Sequence, residues 1–202
     1  MGRFRKATTT TTATTSTTTN IIQPIDWTTI YNGYGYVQWG QGGVTFQPKT
    51  SIASDETHAV MILKNNTSLK DFTVKYKAKT NMQLRLNNPP NAWECFWFVF
   101  NYLPTPDGFK TANYVVLKPN GVELGTMDSS VGQKFLYTGG TPKLTIGNFN
   151  TYELTKVGKN LKLVIDGATI FNQVFDGLYD QAGTFGLYSE DAACTVESVI
   201  SG

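Results

Sequence analysis

Residues 150–174 of the chain read NTYELTKVGKNLKLVIDGATIFNQV. Apolar and polar side chains alternate along this stretch, as they do in a strand with one face on a core. The alternation is interrupted at Gly158-Lys159-Asn160 and again at Asp166-Gly167, both of which are typical of tight hairpin turns. The stretch therefore predicts three successive antiparallel strands over 150–157, 160–165 and 168–174.

Short apolar or alternating runs separated by turn signals continue on both sides of this stretch, beginning at Ile21. Lys118-Pro119-Asn120-Gly121 predicts another hairpin, because proline presets φ and glycine accepts a positive φ. Short strands between regular turn signals, with no longer internal repeat, favour a β-sandwich and require no helix. The other strands are predicted near 36–39, 43–48, 59–63, 71–79, 82–86, 93–102, 113–118, 122–127, 134–138, 183–189 and 194–198.

Length and composition agree with an all-β protein of one domain. The chain has 202 residues, of which only 16% are charged and 19 are glycine, a balance that favours strands and turns over helices. A sandwich of this length is commonly a single domain. We therefore predict one β-domain over residues 21–202.

The first 20 residues have a different composition. Thr8–Thr19 contains ten Thr, one Ala and one Ser, so it offers too little apolar surface to order by itself. Threonine favours extended backbone, and such a run can add as a strand to a partner's sheet. We predict that residues 1–20 form an extended assembly arm tipped by Arg3, Arg5 and Lys6. A glycosylated or flexible stalk fits the composition equally.

Charge and hydropathy disfavour two classes of partner. The formal charge is +2, and without Arg3, Arg5 and Lys6 the chain keeps 14 basic against 15 acidic residues. Nucleic acid is therefore not expected as the main ligand. No apolar run is long enough to span a bilayer, and the basic start is followed by threonines instead of an apolar leader segment. We expect neither a membrane span nor an ordinary signal peptide.

The cysteines and the histidine do not indicate a disulfide or a zinc site. Cys95 and Cys194 lie in apolar or β-branched runs, which favours two buried thiols over one disulfide. The single histidine, His58, and two separated cysteines do not build a zinc site. No cofactor is expected, although calcium stays possible with oxygen donors from Asp26, Asp55-Glu56 and Glu190-Asp191.

Several segments, in their order and spacing, resemble the concanavalin A-like or laminin-G-like jelly-roll superfamily. They are Trp93-Glu94 to Asn101-Tyr102, Tyr114 to Gly125, Phe149 to Tyr152, Leu163 to Gly167, and Gly183 to Asp191. The resemblance covers about residues 35–200. It implies two antiparallel sheets packed face to face, in domains that bind glycans or protein partners and sometimes cleave polysaccharides.

The residues argue against catalysis. Laminarinase-type members of the superfamily carry a Glu-x-Asp-x-x-Glu strand, because retaining hydrolysis needs two carboxyl groups about 5 Å apart. This sequence has no such pattern, and its one adjacent acidic pair, Glu190-Asp191, would point to opposite faces of a strand. His58 lacks the arginine-rich company of a lyase base. We therefore expect no enzyme activity, with a polysaccharide hydrolase or lyase as an alternative.

Strand alternation predicts a candidate binding face. If Phe96, Phe98 and Phe100 point inward, Trp97 and Asn101 point outward, and the same alternation is expected for neighbouring strands. Phe98→Ala should then cost roughly 3–5 kcal/mol of stability, and Trp97→Ala much less. Aromatic rings stack on sugars while polar groups direct hydrogen bonds. The predicted glycan- or partner-binding residues are Arg85, Trp97, Asn101, Tyr114 and Lys118.

Three functions remain open on the sequence. The preferred one is a non-catalytic virion surface or decoration protein, multimeric, anchored to a capsid shell by its arm and able to bind surface glycans. The second is a secreted or cell-surface carbohydrate-binding module, which would place the protein outside the cell. The third is the polysaccharide-cleaving enzyme.

Overall fold

Strands make up most of the protein. The computed structural model describes residues 26–40 and 42–201, and no helix occurs in those two segments. Within them, accordingly, no helix is present that could span a membrane. In chain order the strands are β1 Trp27–Tyr31, β2 Tyr36–Gly40, β3 Gly43–Gln47, β4 Ala59–Lys64, β5 Phe72–Gln83, β6 Phe96–Tyr102, β7 Pro104–Thr105, β8 Gly108–Phe109, β9 Thr111–Lys118, β10 Gly121–Asp128, β11 Gly132–Gly139, β12 Asn150–Val157, β13 Asn160–Ile165, β14 Ala168–Val174, β15 Thr184–Glu190 and β16 Ala192–Ser201.

Two antiparallel sheets of seven strands form the sandwich. One, here called the front sheet, has the order β1-β4-β15-β6-β9-β10-β11. The other, the back sheet, has the order β14-β13-β12-β5-β16-β3-β2. Strands β7 and β8 form a separate two-stranded hairpin between β6 and β9. Neighbours in each sheet are often distant in sequence, as in jelly-roll sandwiches, so most of the fold depends on long-range pairing.

The core lies between the sheets and is rich in aromatic rings. Tyr76 of β5 stacks on Phe98 of β6 with ring centroids 4.5 Å apart, and on Tyr152 of β12 at 4.6 Å. Phe72 of β5 packs edge-on against Phe185 of β15 at 4.9 Å. These contacts join the two sheets in one hydrophobic cluster. Burying each ring removes a large apolar area from water, which is the main force holding the sheets together.

Local patterns predicted the strands and hairpins well. The three strands of residues 150–174 are confirmed, and their turns leave Val157 paired with Asn160 and Ile165 paired with Ala168. The hairpin at Pro119-Asn120 is confirmed by the pairing of Lys118 with Gly121. Cys95 and Cys194 are both free and buried, as expected, and burial raises the pKa of Cys95 to about 12.

One strand prediction is wrong, and strands β1, β7 and β8 had no prediction. A separate strand over residues 82–86 is wrong, because β5 runs without a break to Gln83 and the next residues leave the sheet. Strand β1 pairs with β4 at the edge of the front sheet. The predicted arm, residues 1–20 with Arg3, Arg5 and Lys6, lies outside the described residues.

Candidate functional site

Trp97 lies on the outer face of the front sheet. Its cross-strand neighbours are Tyr188 on β15 and Val116 on β9, whereas the next residue, Phe98, packs inward on Tyr76. The predicted alternation along β6 is therefore correct from Phe96 to Phe100, which packs inward on Phe72. Because paired residues share a face, Trp97 and Tyr188 belong to one surface that looks away from the core.

Trp97 is nevertheless buried, with only 5% of the residue exposed. Its ring centroid is 4.6 Å from that of Tyr114 and 5.8 Å from that of Tyr188. The indole Nε1 donates a hydrogen bond of 2.8 Å to the backbone carbonyl of Trp93. These three contacts hold the indole in one position on the outer face of the front sheet.

A basin of about 280 Å³ opens over Trp97. Two exposed aromatic side chains line it, Trp93 at 47% and Phe135 at 60% exposure. It is called here the Glu190 basin, and its lining is Trp93, Trp97, Lys118, Glu123, Gln133, Phe135 and Glu190. Aromatic walls with a few convergent polar groups are the usual composition of a small-ligand site.

Glu123 and Lys118 pair with each other inside this basin. The Lys118 ammonium donates to Oε2 of Glu123, and the hydroxyl of Tyr114 donates to Oε1 at 2.8 Å. Gln133 in turn donates its amide Nε2 to the Tyr114 hydroxyl. Burial raises the pKa of Tyr114, so this hydroxyl stays protonated and available as a donor. Both oxygens of Glu123 are thus already occupied by the protein.

Glu190 differs from Glu123, because no cation of the described residues lies within 4 Å of its carboxyl group. Among the described residues its side-chain hydrogen-bond partner is Tyr188, whose hydroxyl donates to Oε1 at 2.5 Å. Burial raises the pKa of Glu190 above its ordinary value, and the carboxylates of Asp191 and Glu94 raise it further. The Tyr188 hydrogen bond and the charge of Arg85 lower it in part. Glu190 is therefore a partly desolvated carboxyl that has no counter-ion in the part of the chain that the structure describes.

A second depression, of about 630 Å³, lies on the same face at the opposite end of the strands. Tyr188 reaches it as well as touching Trp97, so the two depressions adjoin. It is called here the tyrosine basin. Its main side chains are Tyr31, Met61, Tyr102, Phe109, Met127 and Tyr188.

An irregularity in β6 places Tyr102 in the tyrosine basin. Gly186 of β15 pairs with Val99, but Thr184 pairs with Tyr102, so β6 contains one extra residue between these points. The extra residue is accommodated by Asn101, which adopts a φ of 47°. The bulge turns Tyr102 to the outer face. There its ring lies 5.7 Å from Phe109 and its hydroxyl donates to the Gly108 carbonyl at 3.2 Å, which fastens the β7–β8 hairpin beside the basin.

The placement of Asn101 on the binding face is therefore wrong. Asn101 is fully buried, and its amide donates to the Leu69 carbonyl at 2.8 Å while its side-chain oxygen accepts from Asn113 at 3.2 Å. Strict alternation fails here because a bulge inserts a residue and inverts the pattern beyond it.

The placement of Arg85 on the binding face is also wrong. Arg85 lies beyond the end of β5, and its side chain is 4% exposed. Nε donates to Glu94 at 2.6 Å and a terminal nitrogen donates to Asp191 at 2.7 Å. Its other terminal nitrogen donates to the carbonyls of Ala53 and Glu56. Arg85 thus ties three loops together from within and lines neither basin.

A serine and the single histidine extend this buried cluster. The Ser51 hydroxyl donates to Asp191 at 2.5 Å and lies 3.1 Å from Nδ1 of His58, whose Nε2 is 3.3 Å from Glu56. The order resembles a serine–histidine–acid arrangement. However, Ser51 is fully buried and gives its proton to Asp191, so it cannot attack a substrate. The cluster is structural.

Of the five predicted binding residues, two line a basin. Trp97 and Lys118 line the Glu190 basin, and Tyr114 supports it from a buried position. Sequence reasoning missed Glu190, Tyr188, Trp93 and Phe135. It did predict that Glu190 and Asp191 diverge, and they do: one faces the basin and the other binds Arg85.

Three of the calcium donors proposed from the sequence, Asp26, Glu56 and Asp191, contact the protein's own side chains. Asp26 pairs with Lys64 at 2.7 Å, Glu56 contacts Lys49 and His58, and Asp191 binds Arg85. The part of the chain that the structure describes contains no group of three or more metal-ligating His, Cys, Asp or Glu side chains. These carboxylates therefore act as partners for the protein's own cations and hydrogen-bond donors.

Comparison with known proteins places the fold. No protein-family model matches the chain, and no curated protein matches it by sequence. Among solved structures, it is similar to the carbohydrate binding module CBM66 from Bacillus subtilis, with 15% identity, 87% of this chain and 94% of that chain covered, and a TM-score of 0.64. It is also similar to the exoplasmic/lumenal domain of VIP36 in its Ca²⁺/Man3GlcNAc-bound form, with 14% identity, 90% and 86% covered, and a TM-score of 0.57. A third is a glycoside hydrolase family 16 endo-glucanase from Bacteroides ovatus, with 12% identity, 91% and 97% covered, and a TM-score of 0.57.

These similarities and the two seven-stranded sheets define the class: the chain folds as an all-β concanavalin A-like jelly-roll sandwich, as its sequence segments indicated. Similarity at this level of identity concerns the fold, and one fold supports many functions. The function therefore depends on the residues that line the two basins.

Proposed function

We propose that the protein is a non-catalytic glycan-binding domain that holds a saccharide chain across the outer face of the front sheet. The observation that carries this proposal is the pair of adjoining aromatic basins that meet at Trp97 and Tyr188. Rings on such a surface stack on the apolar faces of sugars, and groups such as Gln133 supply directed hydrogen bonds. Similar folds occur in a carbohydrate binding module and in a Man3GlcNAc-bound domain, and these similarities support the same function.

Catalysis is the second candidate, because Glu190 and Glu123 line one basin and burial raises the pKa of Glu190. A carboxyl of this kind can serve as a general acid. Two features oppose it. Both oxygens of Glu123 are engaged by Lys118 and Tyr114. In addition, β15 and β10 are separated by three strand spacings, about 14 Å, whereas a retaining pair needs carboxyl groups about 5 Å apart.

A glycan array combined with a reducing-sugar assay tests the proposal. We expect weak single-site binding, on the order of 10⁻⁴ to 10⁻³ M, and no release of reducing ends. Trp93→Ala and Phe135→Ala should each abolish detectable binding, because both rings are exposed in the basin. The matched control is Phe149→Ala, which removes an aromatic ring packed on Lys77 at the back sheet and should leave binding unchanged.

Other outcomes select other functions. Product release that is lost in Glu190→Gln would establish the hydrolase. Silence in both assays would remove glycan binding and leave a purely structural role.

The place of action is a further part of the proposal. The basic, Thr-rich residues 1–20 favour an arm that anchors the domain to a capsid shell, so that many copies on a virion surface compensate for weak single sites. Deleting residues 1–20 should abolish incorporation into particles and leave both thermal unfolding and glycan binding unchanged. A secreted or cell-surface module is the alternative. Incorporation without the arm would contradict the anchoring role.

A further inference from the structure

We propose that the Glu190 basin selects a positively charged sugar, namely a saccharide unit with a free, protonated amine, and that Glu190 is the residue that binds this amine. The inference rests on the glycan-binding function proposed above and specifies its ligand class.

The charges of the basin favour a cation. Its lining contains one cation, Lys118, and two carboxyl groups, Glu123 and Glu190. Lys118 is already paired with Glu123, which leaves Glu190 as the unbalanced charge when it is ionised. Arg85, the other nearby cation, is bound to Glu94 and Asp191 and cannot turn toward the basin. A ligand cation would supply the missing partner for a carboxylate that folding has partly desolvated.

The aromatic lining favours the same ligand. Trp93, Trp97 and Phe135 surround the space that Glu190 faces, and ring faces attract ammonium groups as well as the apolar faces of sugars. A uronate or a sulfated sugar would bring an anion toward Glu190 with no free cation of the basin to receive it. A neutral sugar could stack there but would leave the carboxylate without a counter-ion.

Because both Glu190 and the ligand amine can gain or lose a proton, binding of an amino sugar should depend on pH. Binding of the amine requires an ionised Glu190 and a protonated ligand at the same time. Affinity for an amino sugar should therefore pass through a maximum with pH, falling on the acid side as Glu190 takes up a proton and on the alkaline side as the amine loses one. Affinity for a neutral glycan should change little over the same range.

Calorimetric titration of the full chain with matched oligosaccharides tests this. The ligands are a β-1,4-linked glucosamine oligomer, its fully N-acetylated form, and the corresponding glucose oligomer. We expect the free amine to bind about tenfold more tightly than the other two, and Glu190→Gln to remove that preference. Glu153→Gln, which changes a carboxylate on β12 paired with Lys75, is the matched control and should keep it.

Each result decides between the two proposals. Equal binding of all three oligomers would overturn the selection for an amine while leaving glycan binding in place. A preference for the amine that survives Glu190→Gln would overturn the role of Glu190. If none of the oligomers binds and the glycan array is also silent, both proposals fail. Because Glu190 forms no ion pair with any residue that the structure describes, glutamine should preserve the melting temperature, which verifies that the variant is folded.

Discussion

Replacing Arg85 by methionine tests whether this residue stabilises the fold or binds a ligand. Among the described residues, its guanidinium is the group that neutralises Glu94 and Asp191, both of which are fully buried. Methionine keeps an unbranched apolar stem but removes the charge and five donors. The two carboxylates are then left together in the interior without a cation.

The expected loss of stability is about 4 kcal/mol. Breaking a buried ion pair by removing one partner costs roughly 3–5 kcal/mol. Glu94 and Asp191 both lose their cation and are both fully buried, so a loss of about 4 kcal/mol lies within that range.

Urea unfolding of the wild type, Arg85→Met and the triple variant Arg85→Met/Glu94→Gln/Asp191→Asn measures this. Neutralising the two acids along with the arginine should recover at least half of the loss, because no uncompensated charge remains. The glycan affinity of the triple variant should equal that of the wild type. A loss below about 1 kcal/mol in Arg85→Met, accompanied by a loss of glycan binding, would refute this reasoning and return Arg85 to the binding face.

Three further predictions concern stability. Phe98→Ala and Trp97→Ala should both cost roughly 3–5 kcal/mol in urea unfolding, because Trp97 is as deeply packed as Phe98; a cost for Trp97→Ala near zero would contradict the packing seen here. Gly125→Ala should cost about 1–3 kcal/mol and disturb Tyr114, since an added Cβ would lie 2.3 Å from the tyrosine hydroxyl. Hydrogen bonds from the Ser130 side chain and backbone, with one from Tyr179, lower the pKa of Asp128 from 3.8 to about 2. Asp128→Asn should therefore lower the melting temperature at neutral pH, and this difference should vanish as the pH falls through the folded-state pKa of about 2; a difference that persists there would exclude the ionised carboxylate as its source.

Local sequence signals determined the strands. Asp166 and Gly167 both adopt a positive φ, as the turn between β13 and β14 requires, and such residues mark a hairpin wherever they occur. The alternation of Phe96, Trp97 and Phe98 likewise assigned each ring to a face correctly. Both signals act over a few residues, so they can be recognised without knowing which strands become neighbours.

The candidate site depended on tertiary structure. Glu190 and Trp93 are 97 positions apart in the sequence, and nothing local to either shows that they share a basin with Phe135. The bulge at Asn101 inverts the alternation of β6, and only the pairing with β15 reveals it. Arg85 was misplaced because alternation was extended beyond Gln83, where the strand ends.

Patterns in adjacent residues were enough to predict an all-β chain, the positions of several hairpins, and the inward and outward faces of β9 and most of β6. These follow from the two-residue period of a strand and from turn stereochemistry, which are properties of adjacent residues. The tertiary structure alone decided which charges are paired. Lys118 and Arg85 look equally free in the sequence, yet Lys118 pairs with Glu123 and Arg85 pairs with Glu94 and Asp191, whereas Glu190 has no cation partner among the described residues. Which charges pair depends on distances of a few ångströms between strands and loops that are remote in the chain. Coulomb energies and desolvation vary with those distances and not with sequence separation.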